Sequence, residues 1–163
     1  HGLMLILMGC DKAQGYGLAK PMPAVTFIDW LNDYSPNSQW LFCGSKQRNN
    51  KETSIEIFTM ISEQWKEKFK NKVMSPPNDI TQWPLLDNQY CQCGNWIKQK
   101  KQEQLFDINE LQKLEKEHNK IHRFAQTVKA QYDSGKIKES RTNLDKLDLA
   151  FEEMKMQLRH LKS

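Results

Sequence analysis

Between Leu111 and Tyr132 a seam recurs at intervals of three and four, apolar at Leu111, Leu114, Ile121, Ala125, Val128 and Tyr132 and interrupted once, at position 118. The same spacing returns at Leu144, Leu147, Phe151, Met154, Leu158 and Leu161, and upstream at Phe58, Ile61, Trp65, Phe69 and Val73. A period near 3.6 places each set on one face of a helix, and such a face must be buried against another. Short connections make sequential helices antiparallel neighbours at a shallow crossing angle. With a further short helix from about Cys91 that carries Trp96 and Ile97, the pattern predicts a mostly α protein built as an antiparallel four-helix bundle. The ends are marked. Pro76 and Pro77 stop the first helix, since neither offers an N–H to continue it. Asp107 can cap the next helix while Glu110 reaches back, a variant of the capping box, and Ser134-Gly135 supplies its C-terminal stop.

Composition narrows the function classes. In 163 residues the apolar fraction is 38% and the charged fraction 27%, which suits wet helix surfaces and narrow seams rather than a large buried sheet. The net charge of +4 is dispersed, and Lys66, Lys68, Lys70 and Lys72 spread around a helix axis instead of forming a basic stripe. That argues against nucleic-acid binding. No run of about 18 apolar residues exists to span a membrane. Four cysteines, Cys10, Cys43, Cys91 and Cys93, are too sparse for a disulfide scaffold, and Cys91 and Cys93 are too close to pair with each other. A reducing, cytoplasmic compartment and a metal role fit them better, with Cys43 a bystander thiol.

His118 stands in the apolar seam where Leu or Ile is expected, and His122 follows one turn later on the same side. Two histidines four apart can aim their nitrogens at one point, although such a pair alone is a weak signal. A thiolate from another helix strengthens it, and Cys91-Gln92-Cys93-Gly94-Asn95-Trp96 offers one. Cys-x-x-Gly-x-Trp, then His-x-x-x-His on a helix, then a long amphipathic helix, resembles the chemoreceptor zinc-binding (CZB) domain from Ile55 to Leu161. Cys91, Gly94, Trp96, His118 and His122 match its motif. The resemblance implies one bound zinc per chain, a homodimer formed through the bundle, and a sensor role that extends to thiol redox state. It also places a further zinc-binding histidine three residues before the tryptophan of the first helix. Trp65 fits that tryptophan, and Ser62 stands where the histidine is expected. Zinc prefers four ligands, so the site is one short. Three outcomes stay open: water in the fourth position, Cys93 turned inward, or a degenerate site without metal. Glu63 and Glu67 point elsewhere around the helix, and His160 is remote.

Leu3–Met8 is a short apolar element, and the stretch after it carries a second resemblance. Gly9, Cys10, Asp11, Gln14, Gly15, Tyr16, Lys20 and Pro21 match the closing segment of the EAL domain, the cyclic-di-GMP phosphodiesterase family built as a modified α/β barrel. Residues 1–34 would then be the last strand and helix of such a barrel, with Ala24–Asp33 its helix and Phe27, Trp30 and Leu31 on one apolar side. Residues 35–53, rich in turn formers, read as a linker, and 54–163 as the bundle. By this resemblance Gln14 is the surviving active-site residue. The carboxylates that hold Mg or Mn, and most contacts to cyclic-di-GMP, lie outside the match, so this stretch is expected to be inactive alone. A chain that opens on His1 reads as a fragment or processed product. Two readings compete: a metal-free dimerisation bundle of that enzyme, and a periplasmic helical lipoprotein anchored at Cys10.

Overall fold

In a computed structural model the protein is described over residues 2–8, 10, 12–45 and 50–161. The chain divides into two compact units, His1–Thr53 and Ser54–Ser163. Among the described residues there are helices and no strand.

The first unit holds α1 (Gly2–Leu7), α2 (Ala24–Asp33) and α3 (Ser38–Ser45). The barrel strand expected at Leu3–Met8 is therefore a helix over most of its length. A strand satisfies its backbone only by pairing with a neighbour, and the described residues provide none. A run of Leu, Met and Ile closes its own hydrogen bonds as a helix instead. Gly2 lies against Trp40 so closely that a Cβ there would come within 2.3 Å of the indole. The expected linker also contains a helix. Asn37 caps α3 by accepting from the N–H groups of Gln39 and Trp40, at 3.0 and 3.3 Å. On α2 the rings of Phe27 and Trp30 stack with centroids 5.9 Å apart. Gly9 and Asp11 of the EAL-like motif lie outside the described residues.

The second unit is the bundle. Its helices are α4 (Asn50–Met74), α5 (Gln92–Glu103), α6 (Ile108–Asp133), α7 (Ile137–Thr142) and α8 (Leu144–His160). The predicted seams are the buried ones: Phe58, Phe69 and Val73 on α4, Leu111, Leu114 and Ala125 on α6, and Leu147, Phe151 and Met154 on α8 are almost fully buried. Cross-links set the directions. Lys120 of α6 pairs with Glu153 of α8, and Gln131 with Asn143, so these two helices run antiparallel. Lys101 of α5 pairs with Glu115 of α6, again antiparallel. Glu63 and Lys70 of α4 reach Lys155 and Asp148 of α8, antiparallel as well. The resulting arrangement is up-down-up-down, with aromatic side chains filling the space between α4 and its neighbours. Phe58 meets Trp96 edge-on with centroids 4.8 Å apart, and Trp65 stacks on Phe69 at 5.3 Å.

The helix ends follow local chemistry. Past α4 the proline pair ends the helix, and its last carbonyls find donors elsewhere. Arg141 donates to Val73 and Met74, and the Tyr132 hydroxyl to Ser75. Asp107 caps α6 by accepting from Asn109 and Glu110. The reciprocal half of the expected capping box is replaced, because Glu110 accepts from Lys113 at 2.6 Å. Gly135, with φ 79°, closes α6 in a Schellman turn in which Gly135 N–H donates to Tyr132 and Lys136 N–H to Gln131. The short α7 that follows is an addition to the expected helices. No described helix is long and apolar enough to cross a membrane.

Candidate metal centre

Cys91, His118 and His122 bring one ligand atom each to within 4.8 Å of one another, and all three are buried. Each is placed by a different local rule.

Cys91 is the N-cap of α5. Its sulfur accepts from the Gly94 N–H at 3.2 Å, in the role that Ser or Asp usually plays. The helix N-terminus favours negative charge on that sulfur, while burial pushes the thiol pKa up. Without a metal the residue is therefore a neutral thiol, and a cation would displace its proton. Gly94 is required by close approach: a Cβ there would lie 1.9 Å from the Asn88 carbonyl oxygen.

His118 and His122 stand one turn apart on α6, with ring centroids 4.6 Å apart. His118 Nε2 lies 3.1 Å from Cys91 Sγ. Burial, and then the neighbouring His122, push the His118 pKa down to about 3, so its ring is neutral near pH 7. His122 is lowered too, again chiefly by burial. Its Nδ1 lies 2.8 Å from the Leu86 carbonyl oxygen. A carbonyl can only accept, so Nδ1 carries the proton and the Nε2 lone pair is left free. Metal-bound histidines are commonly held through such a bond to the distal nitrogen.

Three donors of this kind suit a borderline-soft divalent ion. Zinc lies about 2.3 Å from sulfur and about 2.0–2.1 Å from imidazole nitrogen, which sets ligand separations of about 3.3–3.7 Å in a tetrahedral site. The Cys91–His118 distance of 3.1 Å falls about 0.2 Å short of that range, a shift that side-chain rotation supplies. The group can thus hold a metal ion.

The other expected site residues are distributed as follows. Ser62 is buried on α4, and its hydroxyl donates to the Thr59 carbonyl at 2.9 Å. Cys93 is buried next along the chain but stands outside the three-residue group. Burial raises its thiol pKa strongly, so it stays protonated. Ser62, Cys91, Cys93, His118 and His122 all face one cleft of about 300 Å³, walled in part by Trp65, Leu85 and Phe151. Trp65 donates from Nε1 to the Leu85 carbonyl at 2.8 Å. Trp96 is a buried plug between Phe58 and Phe106. Glu63 is engaged with Lys155, and His160 lies exposed at the end of α8. In the first unit Gln14 is exposed on irregular backbone and Cys10 is exposed; Cys43 falls in α3.

Sequence reasoning missed the backbone partners. The Leu86 carbonyl orients His122, and the Asn88 carbonyl dictates glycine at 94. Neither leaves a residue-type signal, because every residue has a carbonyl. One sequence cue existed for the loop: Asn88 and Asn119, whose side chains bond at 2.5 Å, tie it to α6 beside His118.

Compared with family models, with curated proteins and with solved structures, the chain matches none. The CZB-like and EAL-like readings accordingly rest on the motif residues themselves.

Proposed function

We propose that the Ser54–Ser163 unit is a regulatory zinc-binding module of the CZB type, acting on a cyclic-di-GMP phosphodiesterase carried on the same polypeptide. The observation that carries the reading is the convergence of a helix-capping thiol and two buried, neutral imidazoles, one with its tautomer set by the Leu86 carbonyl. Zinc there ties the N-terminus of α5 to the middle of α6. It therefore favours one packing of the bundle over any in which those helices separate. Occupancy, or oxidation of the zinc-bound thiolate, is the signal. The link to a phosphodiesterase rests on the EAL-like residues from Gly9 to Pro21. A homodimer belongs to the same reading. Leu149 and Met156, seven apart on α8 and 66% and 51% exposed, give the bundle an apolar outer stripe for it.

Elemental analysis after mild chelator washing tests the reading, in wild type and in His118→Ala. About one zinc per chain, lost in the variant, supports it. No zinc in either protein overturns it and leaves a metal-free bundle.

A further inference from the structure

The donors around the cleft sort by softness. Cys91, His118 and His122 bring one sulfur and two imidazole nitrogens within 4.8 Å of one another. Two more sulfur-bearing residues line the same cleft, Cys93 and Met154, 6% and 1% exposed. The other polar groups are hard or committed. The Ser62 hydroxyl bonds back to the Thr59 carbonyl at 2.9 Å. Gln64, Tyr90 and Gln92 reach the cleft from exposed positions, and their oxygens are hard donors. Lys68, while charged, has no lone pair to give. The exposed Asp87 carboxylate stands outside the ligand group and accepts from the Gln89 N–H at 2.8 Å. Its charge acts on both Cys91 and His122, so it favours a cation between them without selecting which.

Coordination number separates the candidate ions. Zinc prefers four ligands, and the closed group supplies three. Copper in its +1 state is satisfied by two or three soft donors, and thiolate and thioether ligands select it. Two imidazoles and a thiolate with a more distant thioether form a donor set that suits copper. We infer that the centre takes copper(I) in preference to zinc, held by Cys91, His118 and His122 with the Met154 thioether as a weak additional donor. The inference rests on the metal centre of the zinc reading and adds a second ion to which it responds. Met154 suits the part: a thioether donates without giving up a proton, and its unbranched side chain turns into irregular gaps. Binding exchanges one proton for one ion. The Cys91 S–H releases its proton to solvent as the copper–sulfur bond forms, and copper stays in the +1 state. Zinc ties α5 to α6, whereas copper(I) also draws on α8 through Met154, so the two ions favour different packings of the bundle.

The test uses copper(I) supplied anaerobically as its acetonitrile complex, in competition with bicinchoninate. A Cys10→Ser, Cys43→Ser background removes the thiols outside the bundle. Zinc-loaded protein is expected to release its zinc to a chromophoric indicator as one copper(I) per chain is taken up. Met154→Leu, close in volume, is expected to weaken copper(I) binding by about tenfold and to leave zinc affinity unchanged. Ser62→His offers a fourth imidazole and is expected to shift the preference toward zinc. Zinc retained against equimolar copper(I) would overturn the inference and spare the zinc reading. Copper(I) uptake by a protein that never held zinc would support the inference and end the zinc reading. Uptake undiminished in Cys91→Ser would place the copper elsewhere and overturn it. So would a loss in Cys93→Ser with none in Met154→Leu, which assigns the further sulfur to Cys93. An unchanged preference in a folded, metal-binding Ser62→His variant would show that ligand number does not select the ion, and would overturn it as well.

Discussion

Trp65 and His122 hold two consecutive carbonyls of the same loop. The indole Nε1 of Trp65 donates to Leu85 and the imidazole Nδ1 of His122 to Leu86, each at 2.8 Å, and the two rings lie 5.0 Å apart. The loop is thereby fixed from α4 and α6 at once. Trp65 acts on the metal centre through this clamp: it sets the Leu85–Leu86 backbone, which orients the His122 ring.

Trp65→Phe keeps a ring to stack on Phe69 and removes the donor to Leu85. Partners that orient a metal ligand are worth about tenfold to a hundredfold in affinity, and an indirect one belongs at the lower end. Zinc affinity is expected to fall by about tenfold, with helicity by circular dichroism unchanged. Competition against a chromophoric chelator measures it. An affinity equal to wild type would reduce the clamp to loop packing.

Gly94→Ala puts a Cβ where the Asn88 carbonyl oxygen lies 1.9 Å away. That oxygen is backbone, and the Asn88 side chain is tied to Asn119, so the loop yields only by giving up contacts beside His118. Overpacking of this kind costs about 1–3 kcal/mol. The urea midpoint of the metal-free protein is expected to drop accordingly. Zinc affinity should drop with it, because α5 cannot shift without moving its Cys91 cap. A variant as stable as wild type would show that the Cys91–Gly94 turn has room to relax.

The long helices were legible because α4, α6 and α8 each bury one stripe, and a stripe imposes its period on the residues. The short elements were not. Leu3–Met8 is apolar throughout, so no alternation distinguishes strand from helix, and pairing partners decide. Asn37 and Ser38 signal a turn and a helix cap equally well, which is how α3 was concealed inside the expected linker. The site was half legible for a similar reason. His118 betrays itself as a polar residue in an apolar seam, and Cys91 by its spacing to Gly94. What orients them is backbone, and the turn that brings the Leu86 carbonyl to His122 is set by contacts distant in sequence.

Asp107 and Glu110 separate a one-sided cap from a reciprocal box. Asp107→Ala leaves the N–H groups of Asn109 and Glu110 without their acceptor and should cost about 0.5–2 kcal/mol. Glu110→Ala loses the pairing with Lys113 and should cost no more than about 0.5 kcal/mol. Thermal melts of the two variants beside wild type settle the ratio. Equal losses would mean that Glu110 does reach back to the cap in solution.

Acidification should loosen the metal-free bundle from about pH 6.5 downward. The ordinary histidine pKa is 6.5, and in the fold His118 is pushed down to about 3 by burial and by His122. Between those values the unfolded chain binds a proton there that the folded chain refuses. The unfolded state therefore gains on lowering the pH, by up to about 1.4 kcal/mol per pH unit for one such group. His122 is lowered in the same direction and adds to the slope. Urea midpoints in chelator are expected to be flat above pH 7 and to fall between pH 6.5 and 5. His118→Leu, apolar in an apolar seam, should remove part of that slope and leave the share belonging to His122. A midpoint independent of pH across this window would mean that neither ring is held neutral, and the geometry that frees their lone pairs for a metal would fail with it.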